Sequence, residues 1–301
     1  MNNEMEHICV CVCTYRRPQR LRRLLDGLGE QTTGGLFTHS IVVVDNDYSR
    51  SAEVVVRDYA ASSCIPIRYC VEPVRSIPLA RNRAVENAIG DYLAFIDDDE
   101  FPINAWLLTL FKTCKQCDVD GVLGPVNPFF EDEPPKWIVR GKFWQRPNYP
   151  TGMIIDGGKG RTGNVLLKKE VFADSKEPFQ PRLQTGEDQD FFSRMIEAGR
   201  VFAWCSEATV YEKIPPERWK RSFILRRSLF QGSFVPIGRT FSMARLGKSL
   251  IAIPVYVVIL PFEAFLGHHR FMITSAKLVY HLGTVLGCVG IRLIDQPYVT
   301  G

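Results

Sequence analysis

The 301-residue chain has no internal repeat and no low-complexity tract, which excludes solenoids, fibrous arrays and disordered linkers. Its nine cysteines form no framework, because the count is odd and the spacings are irregular. One CxxC, Cys114 to Cys117, has no second pair with which to close a zinc site. Such usage fits a reducing compartment rather than a disulfide-stapled secreted domain. The opening residues, Met1 to Glu6, lack the charged and apolar regions of a signal peptide. Charge of one sign is scarce too: 37 Lys and Arg stand against 33 Asp and Glu. No nucleic-acid recognition module is visible, so nucleic acid is not expected as a partner. The loop after the first apolar run, Thr14-Tyr15-Arg16-Arg17-Pro18, contains no glycine. That counts against a nucleotidyltransferase built on a similar sheet, which needs a glycine-rich phosphate loop there.

What is present is an alternation of strand and helix. Ile8 to Cys13 reads as a strand, and Cys9, Cys11 and Cys13 share one of its faces as small buried thiols. Pro18 is placed to open a helix whose Leu21, Leu24, Leu25 and Leu28 fall on one side. Ile41 to Val44, Ile67 to Val71 and Tyr92 to Ile96 read as further strands, with helices over 52–61, 78–88 and 103–115 between and after them. This βαβ repetition predicts an α/β, Rossmann-like, mostly parallel sheet with helices on both faces. Thr162 to Leu167 resumes a strand, and Phe191, Phe192, Met195 and Ile196 look helical.

Carboxylates gather at predicted strand ends. Asp97-Asp98-Asp99 follows a continuous apolar run of the kind that is buried in a parallel sheet, so it lies at the mouth where open α/β sheets bind ligands. Adjacent carboxylates repel, and a hard divalent cation, Mn²⁺ or Mg²⁺, relieves that repulsion. The plain alternative is a solvated acidic turn. Asp45 ends the second strand beside the same mouth, where its carboxylate can accept from a nucleobase imide or a ribose hydroxyl, or else cap a helix. Arg81, near a helix start in Ala80-Arg81-Asn82, has the planar fork that grips a diphosphate, or forms a surface ion pair. Glu187 and Asp188 open a helix after Gly186, where a carboxylate aimed into a cleft can serve as a general base or merely cap the helix.

The texture changes over 125–160, where prolines, glycines and exposed-type aromatics such as Trp137, Phe143 and Trp144 replace periodicity. A long functional loop or a small insertion is expected there. Residues 213–248 are rich in Lys and Arg, and they precede an apolar run from Leu250 to Leu266 that Pro254 and Pro261 interrupt. A second apolar stretch runs from Phe271 to Leu293. Basic charge beside apolar sequence favours an anionic membrane surface. Two interrupted stretches fit a re-entrant or interfacial hairpin better than two clean spans. A homo-oligomer formed through these C-terminal helices is the soluble alternative.

Taken in order, Val12 to Pro18, Val43 to Asp47, Ala80 to Asn82, Phe95 to Asp99 and Gly186 to Asp188 resemble family 2 glycosyltransferases of the GT-A fold over about residues 7–235. With Glu212 and Pro215 to Arg218, the chain is more narrowly similar to succinoglycan-type exopolysaccharide glucosyltransferases. The resemblance implies a UDP-sugar donor, Mn²⁺ or Mg²⁺, and inversion at the anomeric carbon. It places Thr14, Tyr15, Arg16, Asp45, Arg81 and Asp97 at the donor, Asp97, Asp99 and Glu212 at the metal, and Asp188, with Glu187 as the next candidate, as the base. Arg218 and Trp219 fall to the acceptor or its diphosphate. Glu212 stands where many relatives have a metal-binding histidine. The processive QxxRW pattern lacks its Gln here, which implies single addition. The expected organisation is a catalytic domain over 1–235 with an acceptor-side insertion at 125–160, then a basic and apolar helical tail over 236–301. That tail would hold the enzyme, monotopic or re-entrant, at the cytoplasmic face of the inner membrane, facing a lipid-linked saccharide acceptor. A non-catalytic subunit that kept the fold is the remaining alternative, and the presence of Asp99 and Asp188 speaks against it.

Overall fold

The computed structural model describes residues 5–173, 175–183, 185–233, 243–291 and 293–294. The chain forms two compact units, Met1–Asn127 with Arg146–Glu212, and Pro128–Gln145 with Lys213–Gly301.

The first unit is built on a seven-stranded sheet. Its elements begin β1 (Glu6–Thr14), α1 (Pro18–Gly29), β2 (Phe37–Asp45), α2 (Glu53–Ser62), β3 (Ile67–Val71), α3 (Ile77–Asn87), β4 (Tyr92–Ile96), β5 (Glu100–Pro102), α4 (Trp106–Cys117), β6 (Gly121–Leu123) and β7 (Val126–Phe129). After α5 (Lys136–Arg140) come β8 (Asn164–Lys168), α6 (Glu187–Glu197), β9 (Phe202–Trp204) and β10 (Val210–Lys213). The sheet order is β3-β2-β1-β4-β8-β6-β9. Neighbours pair in parallel from β3 through β4, and β6 pairs in parallel with β9. β8 runs antiparallel to both β4 and β6. The reason is positional: Asn164 pairs with Ile96, so β8 starts at the mouth where β4 ends and runs back through the sheet.

Strand alternation divides the core. Ile8, Val10 and Val12 of β1 pack with Leu21, Leu24, Leu25 and Leu28 of α1 and with Trp106 of α4. Each buried leucine contributes about 2 kcal/mol of transfer free energy. Cys9 and Cys11 face the other side, against Ala80 and Ala84 of α3 and Phe191 of α6. Small thiols opposite alanines let α3 lie close to β1. All nine cysteines are free thiols.

β5, β10 and β7 form a second, three-stranded sheet. In its antiparallel β5–β10 ladder, Glu100 pairs directly with Glu212.

The second unit has its own core. Ile138 and Trp144 pack with Ile214 and Ile224, and Phe130, Trp137, Phe143, Trp219 and Phe223 close around them. The aromatics of residues 128–145, which read as exposed in sequence, are therefore packed. Their partners come from the segment after residue 213, too far away in sequence for any local pattern to show. α7 (Arg221–Ser233) and α9 (His268–Cys288) meet backbone to backbone: a Cβ at Gly283 would lie 2.3 Å from Leu229 O, and one at Gly287 2.6 Å from Ser233 O. Gly283 and Gly287, four apart, are the small residues that permit such an approach. α8 (Met243–Leu266) carries Pro254 and Pro261 inside one continuous helix. It starts upstream of the apolar run that begins at Leu250, and its 24 residues measure roughly 36 Å. By length and composition α8 and α9 could each cross a membrane. Nine of α8's large apolar side chains are exposed, from Leu250 to Leu266.

Candidate active site

β1, β2 and β4 end at one edge of the sheet, with Thr14 level with Asp45. Strand order reverses between β1 and β4, which opens the crevice that α/β sheets use for ligands. The three aspartates after β4 have separate roles there. Asp98 is buried and accepts from Thr14 Oγ1 at 2.8 Å and Arg17 Nη1 at 3.0 Å, so it ties the β1 loop to the β4 loop. Asp99 faces Arg17 at 3.7 Å and Arg20 at 3.5 Å. Asp97 keeps 50% of its side-chain surface open and lies 3.7 Å from Arg81 Nη2. Its carboxyl is pushed up to about 6, first by desolvation in its recess and then by Asp99 and Asp98, against the pull of Arg81. Half-exposure makes this the desolvation of a cleft floor rather than of a core.

Two further residues join this acidic edge that sequence reasoning missed. Glu100 is 3% exposed, accepts from Asp97 N at 3.3 Å, and is pushed well above the usual carboxylate range by burial and by Asp97. Arg146 donates to Glu212. Burial works against the Arg146 charge, and Glu212, Glu100, Asp97 and Asp99 more than offset it. Arg146 also lines a cavity with Tyr149, Lys159, Arg161, Gly163 and Trp204. Glu100 was visible as the residue after the triple aspartate. Arg146 lies in a stretch without periodicity, and nothing in the sequence marks it.

The carboxylates of this edge offer oxygen ligands, the chemistry that suits a hard divalent cation, and arginines pair with them. Among the described residues no group of three His, Cys, Asp or Glu side chains is placed to hold a metal ion. Asp97, Asp99 and Glu212, the residues expected at the metal, are not gathered into such a group, and Glu100 lies beside Asp97.

Asp45 is held inward. It is fully buried and accepts from Asp47 N at 3.2 Å, Ala52 N at 2.7 Å and Tyr69 OH at 3.0 Å. This is the capping arrangement, made to the start of α2. Contact with a nucleobase would require some of these bonds to be given up. Arg16 sits at φ +54° and grips Asp47 through Nε at 3.0 Å and Nη2 at 3.4 Å. Tyr15 lies beneath two guanidiniums, Arg75 at 4.6 Å and Arg16 at 5.2 Å from its ring centre. Stacking of this kind holds the shape of the loop after β1.

The Ala80-Arg81-Asn82 motif fixes the approach to α6. Asn82 brackets the Phe179 backbone, donating to its O at 2.8 Å and accepting from its N at 2.9 Å. Arg81 donates to Glu187, which is 5% exposed. Gly186 takes φ +77°, a turn that favours glycine, and α6 starts directly after it. Glu187 consequently points into the core, while Asp188 keeps part of its surface open. Arg81 thus joins Asp97 at the end of β4 to the helix that carries Asp188.

Arg218 and Trp219 belong to the second unit. Arg218 is buried, and Trp219 packs on Phe130 with ring centres 6.0 Å apart. They are not among the residues that the first unit brings together.

Comparison with known proteins agrees with this geometry. The model of the family described as glycosyl transferase family 2 matches residues 9–164. The succinoglycan biosynthesis protein ExoM of Rhizobium meliloti is 31% identical over 98% of this chain and 97% of its own. The glycosyltransferase AglE of Haloferax volcanii is 23% identical over 66% of this chain and 64% of its own. Among solved structures, the mannosyltransferase PcManGT of Pyrobaculum calidifontis, in complex with GDP-Man and Mn²⁺, superposes with a TM-score of 0.64 at 15% identity, covering 95% of this chain and 88% of that one. TarS of S. aureus in complex with UDP gives 0.55 at 16% identity, over 94% and 90%. The GT-A-like fold, the ordered motifs and the near-full-length relative converge: the chain belongs to glycosyl transferase family 2 and is a glycosyltransferase.

Proposed function

We propose that the enzyme is an inverting, metal-dependent glycosyltransferase. It moves one sugar from a UDP-sugar to a polyisoprenyl-diphosphate-linked saccharide, in the synthesis of an exopolysaccharide or another cell-surface glycan. The observation that carries this reading is the Arg81 bridge, which sets the carboxylate of Asp97 and the helix start bearing Asp188 at one cleft. Similarity to a succinoglycan biosynthesis protein supports the exopolysaccharide role, and solved relatives that hold UDP or GDP-Man with Mn²⁺ support a nucleotide-sugar donor and a divalent cation.

A divalent cation held by Asp97, Asp99 and Glu212 would neutralise charge that grows on the leaving diphosphate. Thr14, Tyr15 and Arg16 shape the donor side, while Asp45 braces the β2 loop beneath it. Asp188 accepts the proton of the acceptor hydroxyl as that oxygen attacks the anomeric carbon from the face opposite the diphosphate, so no covalent enzyme intermediate is needed. Arg218 and Trp219 are assigned to the acceptor's diphosphate through their unit. The exposed apolar side of α8, together with exposed Lys220, Arg221 and Arg226 of the same unit, supports attachment to an anionic cytoplasmic leaflet.

The test is donor hydrolysis by the purified chain across a panel of nucleotide sugars, with Mn²⁺ and with EDTA. One UDP-sugar should be cleaved, and only with the metal. Cleavage that EDTA leaves untouched, or a preference for another nucleotide, would sink the corresponding part of the reading.

A further inference from the structure

Glu100 and Glu212 stand directly opposite each other in the β5–β10 ladder. Two carboxylates in that position repel unless a proton or a cation offsets one of them. A Cβ on Gly163 would sit 2.9 Å from Glu100 Oε1 and 3.1 Å from Asp97 Oδ2, so both carboxylates face the small space beside this glycine. Arg146 lines the same cavity as Gly163 and donates to Glu212. Of the neighbouring arginines, Arg17 meets Asp98 and Asp99, Arg20 meets Asp99, and Arg81 meets Asp97 and Glu187, while Arg161, which lines the same cavity, is exposed. Arg146 lies outside any helix or strand, at the point where the chain re-enters the first unit. No backbone requirement calls for an arginine there.

We infer that Arg146 is the resident cation of the acidic site, pairing with Glu212 in the metal-free enzyme, and that a divalent cation binds in competition with it. The inference rests on the metal-dependent reading of the site and deepens it. A guanidinium brings one charge and only donors, so it satisfies carboxylate oxygens without ordering them into a coordination shell. An ion of charge two that takes the same oxygens leaves Arg146 without its partner. Affinity of oxygen sites for such ions rises with the net negative charge of the ligand set. Arg146 is then a positioning residue that lowers metal affinity and protects the empty site.

The measurement is Mn²⁺ binding by calorimetry, without nucleotide, to the wild-type chain, to Arg146→Met and to the milder Arg146→Gln. Both variants should bind Mn²⁺ more tightly, by about tenfold or more, and melt lower than wild type without metal, with Mn²⁺ closing the gap. A residue with a merely structural role would lower the melting temperature and leave the affinity unchanged or weaker, and that result overturns the inference. In the wild-type chain itself, modification of Arg146 by phenylglyoxal, read by mass spectrometry, should accelerate when Mn²⁺ is added. Unchanged reactivity in a chain that binds Mn²⁺ also overturns the inference, whether or not the variants fold. Failure of all three chains to bind Mn²⁺ overturns the metal-dependent reading as well.

Discussion

Arg81 of α3 and Glu187 of α6 meet as a buried ion pair across 106 residues of chain. Breaking one partner of such a pair leaves an uncompensated charge inside the protein, at about 3–5 kcal/mol. Glu187→Ala should therefore lower the melting temperature by roughly 10 °C. Glu187→Gln keeps the shape and should cost less. Turnover should fall in both, because α6 loses its anchor beside Asp188. Calorimetric melting of the two variants provides the check. Melting points within a degree of wild type would show that Arg81 is satisfied without Glu187.

Asp188 is the base in the proposed reaction, and its backbone is fixed by the Gly186 turn. Asp188→Asn is nearly isosteric but cannot take a proton. Turnover should drop by about 10²–10⁴-fold with UDP affinity almost unchanged. Transfer assays beside UDP titration separate the two effects. Activity within a few-fold of wild type would move the base elsewhere.

The first four strands and the carboxylates at their ends were legible in the sequence, because buried parallel strands are continuous apolar runs and β1, β2 and β4 are of that kind. Helix α1 was legible for a similar reason, since its four leucines repeat at helical spacing and Pro18 marks its start. β8, antiparallel in the same sheet, was legible as well over Thr162 to Leu167, but the short strands of the second sheet were not. β5 and β10 are three and four residues long, and their pairing joins Glu100 to a partner 112 positions on (212 − 100). No local period records such a register. Arg146 escaped for the same reason. At Asp45 both readings were available from sequence, and only the positions of Ala52 N and Tyr69 OH favour the capping one.

Asp99 tests the metal reading from the donor side. Its contacts include Arg17 and Arg20 near the start of α1, and it lies in the turn after β4 rather than in a strand, so its loss should leave the sheet intact. In Asp99→Ala, Mn²⁺ should no longer raise the affinity for UDP, as calorimetry with and without the ion will show. A metal-dependent gain equal to that of wild type would remove Asp99 from the site.

The Arg16–Asp47 pair predicts a pH dependence. Arg16 holds the Asp47 carboxyl down at about 2, with Ser49 helping. A carboxyl whose folded value is depressed adds stability above its unfolded value near 4, and that stability is lost as pH falls toward the folded value. The stability gap between wild type and Arg16→Ala should thus be present at neutral pH, shrink below about pH 4, and close near about pH 2. More than half of the Arg16 side chain is exposed, so salt should narrow the gap as well. Urea unfolding across that pH range is the measurement. A gap that stays constant from neutral to acid pH would assign the effect of Arg16 to packing.

Val258, Phe262 and Phe265 lie on one side of α8 at helical spacing and are 65%, 66% and 91% exposed. Three large apolar groups in water on one helix need a covering, and a bilayer supplies one at the edge of its hydrocarbon. Aspartate costs about 2.5–3.5 kcal/mol at the centre of a membrane helix, and less toward the interface. The triple change Val258→Asp, Phe262→Asp, Phe265→Asp should therefore abolish flotation with anionic vesicles. It should barely alter the melting temperature, because these side chains pack against little within the protein. The outcome that would replace the membrane reading is specific. If the wild-type chain stays soluble without detergent and elutes as an oligomer that the triple change dissolves into monomers, the face of α8 is a contact between copies of the enzyme.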